Sequence, residues 1–155
     1  MSTSFVSFDG EHGFWSADRW LELYLRLLLL HLEDAPNQRS PCHAIREKWH
    51  VASSGACSGW VPVFVDDVKA SLEGVRLMLN AIASLSRGLE QAPPKLDKRV
   101  IRLLWGEQYD RPWPDEVETS SLVEISEALV KLIKGEMTST AADEVYVPVS
   151  PQTND

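Results

Sequence analysis

The sequence is short of cysteine, of basic residues and of long apolar runs, and each shortage excludes something. Only Cys42 and Cys57 occur in 155 residues, too few for a disulfide framework. A chain of this length buries about 70% of the surface its unfolded form exposes, so it needs neither disulfide nor metal to fold. Lys and Arg number 15 against 23 Asp and Glu, giving a formal net charge of -8. That deficit argues against nucleic acid, whose phosphates require clustered Lys and Arg, and against an anionic membrane surface. The longest apolar run without a charge, Leu27 to Leu32, is far below the roughly 20 residues that span a bilayer. The opening Met1–Asp9 stretch has no basic segment leading into an apolar one, so no signal peptide is expected. The expected setting is a reduced cytoplasm.

Catalytic signatures are also missing. Gly10-Glu11-His12-Gly13 is not followed by the Lys of a phosphate loop. Cys42, His43, His50 and Cys57 lie within sixteen residues and supply the right atoms for tetrahedral zinc, but their spacing fits no common finger. Asp66-Asp67 fits a helix cap better than a carboxylate pair for acid–base work. Glu22 and Arg26 read as an exposed i,i+4 pair, and His31 as a core histidine with a satisfied ring. No enzyme activity, no cofactor and no metal are therefore expected.

What is present is helical periodicity. A helix is expected from about Ser16 to Leu32, with Ser16 as its N-cap and Trp15 and Trp20 as a hydrophobic staple. Beyond Arg26 its polar stripe ends, which predicts burial nearly all round. A shorter helix is expected over Cys42–Ala52. Trp60–Val65 reads as a short extended segment because of Pro62. Val68, Leu72, Val75, Leu79, Ile82 and Leu89 follow a 4-3-4-3 spacing, which predicts one long helix with a coiled-coil-like seam. Two further helices are expected, Lys95–Trp105 with Leu96, Val100, Ile101, Leu103 and Leu104 inward, and Ser120–Lys134 burying Leu122, Ile125, Leu129 and Leu132. Phe8 to Trp15 reads as a hairpin-like lead-in turning on Asp9-Gly10. The expected architecture is all-α: a single-domain bundle of about five helices over residues 1–135. Residues 136–155 form a polar tail, extended or disordered, in which Val145–Val149 could pack as a strap.

The charge is uneven. Residues 106–155 hold 11 acids and 3 bases, whereas residues 35–105 hold 6 acids and 10 bases. The densest stretch, Gly106 to Glu118, carries Glu107, Asp110, Asp115, Glu116 and Glu118 together with Tyr109 and Trp113. Rigid aromatics inside a charged rim are the chemistry of an interface hot spot, and these seven residues are the candidate partner-binding set.

Acidity, helical content, the lack of a catalytic motif and the Gly13-Phe14-Trp15 entry into a Leu-rich helix together resemble the small acidic immunity proteins that bacteria make beside secreted polymorphic toxins. The resemblance implies a protein that binds a cognate toxin, a basic domain, and blocks it by occlusion without catalysis. The alternative reading is a helical structural or dimerisation adaptor, a homodimer joined through the Val68–Leu89 seam.

Overall fold

A computed structural model of the chain describes residues 2–105 and 116–149. It corrects the all-α expectation: among the described residues, six α-helices and one short 3-10 turn are accompanied by two small antiparallel sheets. The first sheet is the hairpin of β1 (Thr3–Ser7) and β2 (Gly13–Ala17), with Phe5 opposite Trp15. Asp9 closes its turn by accepting hydrogen bonds from the amides of Glu11 and His12 at 2.8 and 2.7 Å, and Gly10 takes the left-handed backbone that the turn demands. Gly13 is fixed by crowding, since a Cβ there would lie 1.9 Å from the Val6 carbonyl oxygen. The lead-in thus is a hairpin, and Phe8 packs edge-on against Phe64 with ring centroids 5.2 Å apart.

The helix α1 (Asp18–His31) begins two residues later than expected. Ser16 belongs to β2, and its buried hydroxyl finds no hydrogen-bond partner among the described residues. Alternating strand geometry turns Ser16 inward, which is why it cannot cap. The all-round burial falls in the middle of α1, at Leu21 to Leu25, rather than at its end. Glu22 lies fully inside and Arg26 is half-buried, so the expected exposed pair is corrected as well.

The second helix, α2 (Pro41–Ala52), starts with Pro41 at its first position and Ser40 as its cap. The long helix predicted over Val68–Leu89 is broken into α3 (Asp66–Lys69) and α4 (Leu72–Gln91). Ser71 causes the break: its hydroxyl accepts from the Gly74 amide at 3.0 Å and starts a new helix. Gly74 permits the tight corner, because a Cβ there would lie 2.1 Å from the Asp67 carbonyl oxygen. The break resets the helical phase. The core face of α4 becomes Leu77, Met78, Ala81, Ile82, Leu85 and Leu89, while Leu72 is 90% exposed. Val68, Ile82 and Leu89 are buried within the chain itself, so the predicted seam is not a free surface.

Strand β3 (Lys95–Asp97) leads into α5 (Lys98–Trp105) and pairs with β4 (Glu116–Glu118), which leads into α6 (Thr119–Ile133). Among the described side chains of α5, Ile101 and Leu104 turn inward. Val100 and Leu103, three residues apart on the next face, are exposed, against expectation. On α6 the expected residues Leu122, Ile125, Leu129 and Leu132 are all buried, and Gly135 follows in the left-handed conformation of a C′ residue.

Beyond α6 the chain returns along β2. The Gly13 and Ser139 backbones are joined at 2.8 Å, the Trp15 amide donates to the Val145 carbonyl at 2.7 Å, and the Val147 amide donates to the Trp15 carbonyl at 2.9 Å. Residues 139–147 therefore act as a strap that gives the hairpin a third neighbour. Among the described residues, no helix is long and apolar enough to cross a membrane.

Candidate functional site

Glu107, Tyr109, Asp110, Trp113 and Asp115 lie outside the described residues. Glu116 and Glu118 are the ends of β4, and strand alternation explains their placement: Val117 between them is buried, so both carboxylates face outward. Glu116 meets Lys95 of the paired strand at 3.1 Å. The acidity continues from there. Between residues 116 and 149 lie seven acids and two bases. Glu118, Glu127, Glu136, Asp143 and Glu144 are exposed, and none makes an ion pair with a described residue.

Cys42, His43, His50 and Cys57 are not brought together. Cys42 is buried at the start of α2, where its thiol donates to the Glu33 carbonyl and burial raises its pKa. His43 faces Glu47 at 3.3 Å, and His50 lies 3.4 Å from an Arg26 guanidinium nitrogen. Cys57 belongs to the loop beyond α2. Among the described residues, no group of three or more His, Cys, Asp or Glu side chains could hold a metal ion.

Sequence reasoning missed a different surface, around α2. Two clefts flank this helix and meet at Glu47. One, of about 450 Å³, is walled by Val51, Ala52, Pro62, Phe64 and Val65, with Trp60 at its mouth. The other, of about 500 Å³, lies between α1, α2 and α5, over Leu29, Leu30, Leu103 and Leu104. Four large apolar side chains on this face are open to solvent: Leu30 is 67% exposed, Val51 57%, Trp60 71% and Leu103 85%. Trp60 was legible only as one more aromatic of an extended segment. Its exposure comes from the backbone on either side of it, where the Gly59 amide donates to Asp18 and the Val61 amide to Ser4, at 2.6 and 2.9 Å. Those anchors hold the loop down while leaving the indole outside.

Two histidines sit in contrasting surroundings. His12 is hydrogen-bonded to the Asp9 carboxylate at 2.7 Å, which raises its pKa and holds that of Asp9 far below the usual carboxylate range. Partial burial, with Arg87 nearby, lowers the pKa of His31, whose Nδ1 meets the Ser84 hydroxyl at 2.8 Å. The fold thus favours the charged ring of His12. That contribution is complete below an ordinary midpoint of 6.5 and is lost as pH rises through the raised one. For His31 the fold favours the neutral ring, so its contribution stands above 6.5 and is lost as pH falls toward the lowered midpoint. An NMR titration should place the two midpoints on opposite sides of 6.5; coincident midpoints would contradict both environments.

No protein-family model matches this chain, and no curated protein or solved structure is significantly similar to it.

Proposed function

We propose that this protein is a non-catalytic, immunity-type inhibitor that binds a basic toxin domain and blocks it by occlusion. The observation that carries the reading is the excess of exposed carboxylates among residues 116–149. These residues include seven carboxylates and two lysines, and of the seven only Glu116 makes an ion pair with a described residue. Unpaired surface charge of one sign does little for stability but speeds encounter with a partner of the opposite sign. The acidic stretch Glu107–Glu118 extends the same excess in sequence.

The test is co-expression with the product of the adjacent open reading frame. If that product arrests growth, this chain should relieve the arrest and form a stoichiometric complex with it. Association should slow with added salt. Changing Glu118, Glu127 and Glu136 to glutamine should slow it by roughly tenfold, with little effect on dissociation. The thermal midpoint should hardly move, because exposed charges contribute little to stability. A neutralised triple variant that associates at the wild-type rate would remove this surface from the encounter.

A further inference from the structure

The α2 face differs from the acidic surface in both chemistry and charge. Exposed apolar patches of this kind mark interaction sites on soluble proteins, and Leu30, Val51, Trp60 and Leu103 together form one. Its ionic groups are balanced. Arg26, Arg46 and Lys48 line the clefts against Glu47 and Asp66, and Asp67 beside them holds Lys48, on a molecule whose net charge is -8. Glu47 lines both clefts, and the remaining charges differ between them. Arg26 and Arg46, with His43 and His50, border the cleft that exposes Leu30 and Leu103. Glu47 and Asp66 border the cleft under Trp60, where Lys48 is held by Asp67.

A surface with one apolar cleft of each polarity is complementary to itself under a two-fold rotation. We propose that the α2 face pairs with the same face of a second copy of this chain, forming a homodimer about an axis that crosses α2 between the two clefts. Rotation places Trp60 and Val51 of one copy against Leu103 and Leu30 of the other, and brings the carboxylate-bordered cleft over the arginine-bordered one. Two molecules of charge -8 repel one another over most of their surfaces, and a locally neutral face is where two copies can approach. A basic partner would instead be drawn to residues 116–149, where the carboxylates are in excess. None of residues 116–149 lines either cleft.

Sedimentation equilibrium of the purified full chain tests this without any toxin. The wild type should be dimeric at about 100 μM, a modest affinity for an apolar patch with few ion pairs. Trp60→Asp and Leu103→Glu should each raise the dissociation constant at least tenfold, because each puts a charge into the apolar contact between the two copies. Both side chains are exposed, so far-UV circular dichroism should not change. If Trp60→Asp loses its helical signal, Leu103→Glu decides. Leu72→Glu, at an exposed residue of α4 outside both clefts, should leave the dimer intact. A wild type that stays monomeric at about 500 μM overturns the proposal, including the case in which Trp60→Asp then weakens capture of a toxin. So does a dimer that Leu72→Glu dissociates while Trp60→Asp and Leu103→Glu do not.

Discussion

Trp49→Ala is expected to lower the thermal midpoint by roughly 10 °C or more, at about 2–4 °C per kcal/mol for a chain of this size. Trp49 is among the largest fully buried side chains. It projects from α2 toward the segment after the Gly59 turn, and its indole N–H donates to the Val63 carbonyl at 2.8 Å. Removing the ring forfeits its transfer energy and leaves a cavity, together about 3–5 kcal/mol. The orphaned Val63 carbonyl adds about 1 kcal/mol or more. A domain is stable by only about 5–15 kcal/mol, so one substitution consumes a large part of the total. Trp49→Phe separates the two contributions. It keeps most of the apolar volume and loses only the donor, so it should cost about 1–3 kcal/mol. Calorimetry on both variants checks the ordering; a Trp49→Ala midpoint within about 2 °C of wild type would show that the ring packs against little.

The same helix shows what the sequence could and could not convey. Its limits follow from local chemistry, with Ser40 and Pro41 at one end and the small residues after Ala52 at the other. The buried set on α6 follows equally from spacing, because Leu122, Ile125, Leu129 and Leu132 repeat at helical intervals with no break between them. The failures lie where tertiary contact overrode a local signal. Ser16 has the chemistry of a cap but sits in a strand whose inward alternation buries it. The spacing from Val68 to Leu89 implies one continuous helix, and only the corner at Ser71 and Gly74 reveals that Leu72 falls outside the core. Short strands such as Lys95–Asp97 and Glu116–Glu118 carry no periodic pattern; they exist because their partners lie opposite. The candidate surface was half legible. The charge excess near Glu116 and Glu118 can be counted directly, whereas the α2 face is assembled from α1, α2, α5 and the Trp60 loop, whose proximity no single segment encodes.

Asp18 links the stability of the fold to that face, and its replacement is expected to damage both. Its carboxylate is buried at the first turn of α1, where the helix dipole favours an anion. One oxygen accepts from the Ser4 hydroxyl at 2.6 Å and the other from the Gly59 amide at 2.6 Å. Ser4 in turn accepts from the Val61 amide at 2.9 Å. Trp60 therefore stands between two backbone amides that depend, directly or through one hydroxyl, on a single carboxylate. Hydrogen bonds to a charged group contribute about 1.5–3 kcal/mol each, so Asp18→Ala should cost about 3 kcal/mol or more and leave buried donors without an acceptor. Asp18→Asn keeps the size but replaces one acceptor with a donor, setting N–H against a donor already present, and should cost about 1–3 kcal/mol. Hydrogen exchange should then speed up at Gly59 and Val61 before the rest of the chain is affected. With its loop released, Trp60 loses the fixed placement that lets a rigid aromatic serve as an anchor, so Asp18→Asn should also weaken self-association although Asp18 touches neither cleft. Unchanged exchange at Gly59 in Asp18→Asn would show that the loop is held by its own turn and not by this carboxylate.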